Sequence, residues 1–144
     1  MLNVRPDSLS ILLVDDNEAD RMLAEEAFDL LPAKVWVNLC ATGDQALAWL
    51  RDPGNPLPNV IVLDVNMPGM SGLDVLRAIR EDPVLRPLPV VMLTTSDQPG
   101  DIQQAYELVV SSYWVKQADF AGFVRQIEDF VGFWQHARFH KGRP

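Results

Sequence analysis

The stretch ILLVDDNEADR, residues 11–21, drives four apolar residues, Ile11 to Val14, straight into two adjacent carboxylates, Asp15 and Asp16. Length and β-branched content make the apolar part a candidate buried strand. Two ionised carboxylates at the end of such a strand are costly to bury unless something compensates them. Taken alone, the stretch also fits an exposed turn leading into a helix near Glu18, because Asp and Asn are good helix caps. The rest of the chain separates these readings.

Outward from this stretch, apolar runs alternate with amphipathic segments. Strands are predicted at 10–14, 34–40, 60–64, 89–94 and 112–115, and helices near 18–31, 43–51, 72–81, 100–109 and 118–136. Pro32 is expected to close the first helix, and Thr42 and Ser71 to cap the second and third. RDPGNPLPN (51–59) and PVLRPLP (83–89) read as turn-rich connectors. Strands alternating with helices give an α/β fold, a parallel sheet covered on both faces. ILLV, VIVL and VVML are continuously apolar, as strands buried on both faces are. In such sheets ligands bind beyond the carboxyl ends of the strands, where the strand order reverses.

At 144 residues the chain fits one domain with a substantial core, and 48% apolar against 22% charged residues is a globular mixture. No apolar stretch is long enough to span a membrane, and MLNVRPDS does not read as a secretory signal. Cys40 is the only cysteine, which excludes an intrachain disulfide, fits a cytoplasmic location and reads as core filler. A formal charge of −8, with Lys and Arg clustered only in RFHKGR (138–143), argues against nucleic acid as a partner. His136 and His140 lie four apart, but no acid or cysteine joins them nearby, so a solvated tail is expected.

At the predicted strand ends stand Asp15 and Asp16, then Asp64 in NVIVLDVNMPGMSG, then Thr94, Thr95 and Ser96 in PVVMLTTS, then Lys116 in SSYWVKQ. An open parallel sheet brings these ends to one edge. Crowded carboxylates repel, and one has its pKa raised unless a cation sits among them. Such hard oxygen ligands suit Mg²⁺, which takes one or two carboxylates together with phosphate oxygens. A carboxylate can itself accept a phosphoryl group, and metal, lysine and hydroxyl donors stabilise that transfer.

Together these motifs resemble the receiver domain of two-component response regulators, from about Ser10 to Phe130. The resemblance implies a flavodoxin-like (βα)5 three-layer sandwich with strand order 2-1-3-4-5. The receiver would occupy 8–136 and a tail 137–144, with no output domain. By the same resemblance Asp64 is the phosphoacceptor. Asp15, Asp16 (the more direct ligand), Asp64 and the Asn66 backbone carbonyl hold Mg²⁺. Thr94 is the switch hydroxyl, Lys116 the ion-pair partner of the phosphoryl group, and Tyr113 the aromatic switch. Phosphate would come from a sensor histidine kinase. The ending DFVGFW (129–134) and the end of the fourth helix resemble small receivers partnered with phytochrome-type kinases, bacteriophytochromes included.

The chain departs from the family pattern in three ways. Gln117 stands where Pro, commonly cis, follows the Lys; a trans bond, a rearranged loop and a less firmly placed Lys116 are expected, since a non-proline cis bond costs about 2.5–4 kcal/mol. Val109 and Val110 replace a Gly-Ala pair at the end of the fourth helix. A β-branched residue is poor in the left-handed cap conformation, so a differently built end is expected. Thr95 replaces a smaller residue beside the route to the phosphoryl group.

The expected activity is that of a phosphorylation-switched module, not an enzyme beyond assisting its own phosphorylation and dephosphorylation. A phosphorylation-independent adaptor is the alternative. A Mg-dependent aspartyl phosphatase would need an acid two residues after Asp64, where Asn66 stands. A flavin module would want a Ser/Thr/Gly-rich phosphate loop where DDNEAD stands. In the last helix Phe120, Phe123, Val124, Ile127, Phe130, Val131 and Trp134 share one stripe, whereas Phe133 falls off it and Phe139 would point to the opposite side. With no output domain expected, those two aromatics favour a symmetric homodimer on helix five, strand five and the 131–144 extension.

Overall fold

The computed structural model describes residues 8–32 and 34–139. In chain order it contains β1 (Leu9–Val14), α1 (Glu18–Asp29), β2 (Val35–Cys40), α2 (Gly43–Arg51), β3 (Val60–Leu63), α3 (Gly72–Glu81), β4 (Val90–Thr94), α4 (Pro99–Glu107), β5 (Ser112–Val115) and α5 (Phe120–Gln135). The strands form one parallel sheet in the order β2-β1-β3-β4-β5, as expected. No described helix is long and apolar enough to cross a membrane.

Strand side chains alternate between faces, and the core divides accordingly. Leu12, Val14, Ile61, Leu63, Val90 and Met92 pack with α2, α3 and α4. Ile11, Leu13, Val60, Val62, Val91 and Leu93 pack with α1 and α5. The three central strands are buried throughout, whereas β2 and β5, at the edges, are only partly covered. Cys40 is buried as core, and burial pushes its thiol pKa up.

Caps fix where the helices begin. Asn17 accepts from the Asp20 N–H to open α1, Thr42 from Gln45 to open α2, and Ser71 forms a reciprocal capping box with Asp74 at α3. Asp119 caps α5, so that helix starts at Phe120 rather than 118. The first helix ends at Asp29, short of Pro32.

Three expectations need correction. Val109 does adopt the left-handed conformation, at φ +59°. The N–H groups of Val109 and Val110 bond the carbonyls of Tyr106 and Ala105, which is the Schellman pattern. Arg80 reinforces it, its guanidinium donating to Leu108, Val109, Arg86 and Leu88 carbonyls at 2.8–2.9 Å. These bonds over-determine the helix end, and they hold valine where glycine is usual. Phe139, in turn, does not point away from the helix. α5 ends at Gln135, and Phe139 stacks on Trp134 with centroids 5.8 Å apart and planes at 16°. Phe120, placed on the buried stripe by periodicity, is 43% exposed. His140 and the rest of 140–144 lie outside the described residues.

Candidate functional site

Each functional side chain stands just past the end of a parallel strand or in the helix turn that follows. Asp15 and Asp64 continue β1 and β3, and Thr94 ends β4; all three are buried. Asp16 is exposed. Asp15, Asp16 and Asp64 each offer an oxygen within 4.8 Å of the others, a spacing that fits one cation.

The Asp64 carboxylate is held on both oxygens. Oδ1 accepts from the Thr94 hydroxyl at 2.7 Å and from the Asn66 N–H at 3.1 Å, while the Lys116 ammonium donates to Oδ2 at 3.3 Å. Lys116, its side chain 9% exposed, also donates to Asp15 at 2.6 Å and to Asp20 at 3.0 Å. Asp15 Oδ1 accepts from the Asn17 N–H, and the Arg21 guanidinium donates to the Asp15 carbonyl at 2.7 Å.

Charge is unbalanced here. Burial raises the pKa of Asp15, and its bonds to Lys116 and Asn17 only oppose that rise. Burial would lower the pKa of Lys116, but Asp15, Asp64 and Asp20 together raise it. The two directions agree once the stoichiometry is counted: one ammonium serves three carboxylates, so it is over-stabilised while Asp15 remains short of positive charge. A divalent cation would supply what is missing. The hard oxygen donors present fit Mg²⁺.

Asp20 is the residue that sequence reasoning missed. Its signal was available, because the first turn of a helix following a parallel strand lies over that strand's carboxyl end. A second set of contacts leads from Thr94 outward. Its Oγ1 accepts from the Ser96 N–H at 3.2 Å, Ser96 Oγ donates to Asp101 in α4 at 2.6 Å, and the Tyr113 hydroxyl donates to the Ser96 carbonyl at 2.9 Å. Burial raises the pKa of Tyr113, so the phenol is a donor over the ordinary pH range. Thr95 is exposed beside this network. The peptide after Lys116 is not cis, as expected for Gln117, yet Lys116 is not loosely held. Its N–H donates to the Thr94 carbonyl at 2.8 Å, and its ammonium meets three carboxylates.

A family model described as response regulator receiver domain matches residues 11–128. The chain is 37% identical over 131 residues to the probable methanogenesis regulatory protein FilR2 of Methanothrix harundinacea, covering 89% of this chain and 84% of that protein. It is 34% identical over 128 residues to the response regulator Rcp1 of Synechocystis sp., covering 86% and 87%. The Mn(2+)-bound Rcp1 crystal structure superposes with a TM-score of 0.84 at 32% identity, over 92% of this chain and 99% of that one. The phosphorylated cyanobacterial phytochrome response regulator RcpA gives a TM-score of 0.86 at 34% identity, over 93% and 99%.

Proposed function

The chain belongs to the response regulator receiver family, and from that premise we propose that it accepts a phosphoryl group on Asp64 from a sensor histidine kinase of phytochrome type and signals through its own surface. The single observation that carries this reading is the buried Asp64 carboxylate, with the Thr94 hydroxyl at 2.7 Å on one oxygen, Lys116 at 3.3 Å on the other, and Asp15 and Asp16 alongside. Asp15, Asp16, Asp64 and the Asn66 carbonyl would hold Mg²⁺, which would supply positive charge against the excess carboxylates and the developing phosphoryl charge.

In the transfer, an Asp64 oxygen bonds to phosphorus as the phosphorus–nitrogen bond of the donor phosphohistidine breaks and the imidazole leaves. Lys116 and the Thr94 hydroxyl stabilise the charge spread over the phosphoryl oxygens. If Thr94 turns from Asp64 toward a phosphoryl oxygen, it releases the Ser96 N–H, and Ser96 is tied to Tyr113 and Asp101. Thr94 and Tyr113 thereby carry the change from the site to α4 and β5. The chain's own catalytic share stops at assisting phosphate gain and loss, because Asn66 offers no acid two residues after Asp64.

The phytochrome assignment of the kinase rests on the likeness to RcpA together with the aromatic end of α5. The reading also places the protein in the cytoplasm as a homodimer formed through α5, β5 and the 131–144 extension, with neither nucleic acid nor membrane as a partner. Incubation with acetyl phosphate and Mg²⁺, read by intact mass, should add one labile phosphoryl group to the parent chain and none to Asp64→Asn. Labile phosphate retained by Asp64→Asn would overturn the assignment.

A further inference from the structure

Lys116 stands one residue past the end of β5, an edge strand paired only with β4 among the described residues. A backbone at such a place has a neighbour on one side and none on the other. Here the inner side is closed by the Lys116 N–H on the Thr94 carbonyl. The outer side is closed by a side chain. Gln126, in the second turn of α5, donates from Nε2 to the Val115 carbonyl at 2.8 Å and accepts at Oε1 from the Gln117 N–H at 3.0 Å. Those two peptide groups flank Lys116, one before it and one after. Donating to residue i−1 and accepting from residue i+1 is how a residue in a parallel strand pairs with residue i. The Gln126 amide therefore stands in for one residue of a sixth strand, paired with Lys116 alone.

We propose that Gln126 is a positioning residue for Lys116: it fixes the backbone from which the ammonium reaches Asp15, Asp20 and Asp64, and so links α5 to phosphoryl transfer. The proposal rests on the reading above that Lys116 acts on the phosphoryl group at Asp64. The partners dictate the chemistry of the side chain, since one terminal atom must donate and the other accept, as only a primary amide of this length does. Gln126 is half-buried and lines, with Trp114, Ile127 and Phe130, an apolar pocket between α5 and the sheet. Gln117 matters for the same reason. A proline there would have no N–H to offer Oε1, so the departure from the family pattern supplies the donor that Gln126 uses.

The test uses the full chain with acetyl phosphate and Mg²⁺. Gln126→Leu keeps the stem and loses both bonds, and it should slow phosphorylation by about tenfold or more, toward the roughly hundredfold that a 1 Å misplacement of a reacting group can cost. Gln126→Glu keeps the length and the acceptor for Gln117 but sets a second acceptor against the Val115 carbonyl, so it should also be slower than the parent, which covers the case of a Leu variant that folds poorly. Without metal or phosphate, amide hydrogen exchange at Gln117 should quicken in Gln126→Leu. In a Lys116→Met background the effect of Gln126→Leu on the rate should vanish, although any effect on stability stays. Parental phosphorylation rates in both Gln126 variants would overturn the proposal, as would a rate loss that persists undiminished without Lys116. If Lys116→Met alone is phosphorylated at the parental rate, the reading of Lys116 itself fails and takes the proposal with it, a result distinct from the other two.

Discussion

Val109, at φ +59° and 70% exposed, carries strain without burying its side chain. The left-handed conformation costs an L-residue about 1–2 kcal/mol, and glycine escapes that at an entropic cost of about 0.5–1 kcal/mol in the unfolded chain. Val109→Gly should therefore stabilise the protein by roughly 0.5–1 kcal/mol, seen as a higher urea midpoint with an unchanged slope. A lower midpoint would mean that the valine makes contacts worth more than its strain. A second single-residue test concerns the metal. Asp16 is the exposed member of the acid triad and has no ammonium partner among the ion pairs of the site. Asp16→Ala should therefore weaken Mg²⁺ binding in calorimetry by at least about tenfold and leave the Lys116 contacts intact. Unchanged affinity would show that the ligand set is wrong. Asp15, Asp64, Thr94 and Lys116 were legible in the sequence because parallel topology alone sends strand ends to one edge. Asp20 was legible in place, in the first helix turn after β1, but not in role, which appears only when the Lys116 ammonium is placed. Val109 was misread because local propensity says nothing of Arg80, 29 residues away in sequence, whose Nη2 bonds its carbonyl.

At the scale of elements, α3 begins hard against the backbone that carries Asp64, the proposed phosphoacceptor. The Gly72 N–H donates to the Val65 carbonyl at 3.0 Å, and a Cβ at Gly72 would fall 2.0 Å from the Asp64 carbonyl oxygen. Backbone cannot yield as a side-chain tip can. Gly72→Ala should cost about 1–3 kcal/mol or more of stability. It should also slow phosphorylation of Asp64 beyond what that loss explains, because either α3 or the Asp64 strand end must move. A variant as active and as stable as the parent would show that α3 has slack here. The elements themselves were readable because continuous apolar runs and 3.6-residue stripes fit buried strands and one-sided helices. Their ends were less so. Helical periodicity points Phe139 away only if α5 continues, whereas the helix stops at Gln135 and the chain brings the ring back onto Trp134. That correction changes how the extension can be probed. Trp134 is 8% exposed, so cutting the chain at Val131 would remove core as well as surface.

For the whole molecule, the open question is what covers the outer edge of the sheet beside α5. Phe133 is 67% exposed, and it lies seven residues after Gln126. Seven residues are close to two helical turns, so both side chains leave α5 on nearly the same face. Gln126 shows where that face looks, because its amide reaches the unpaired side of β5 at Val115 and Gln117. Phe133 thus projects on the β5-edge side, where Val115 is itself 40% exposed. A two-fold axis near this edge would bring Phe133 of each copy against the other and remove both rings from water, in the commonest form of self-association. Replacing Phe133 by aspartate should therefore convert a dimer at micromolar concentration into a monomer by light scattering. The same change should move monomer stability by only about 0.5 kcal/mol, as expected at an exposed site. The T-shaped contact of Phe133 with Trp134, at 5.1 Å between centroids, is the one ring packing it gives up among the described residues. A parent chain that is monomeric in this range, or a Phe133→Asp variant that remains dimeric, would remove Phe133 and the β5 edge from the interface.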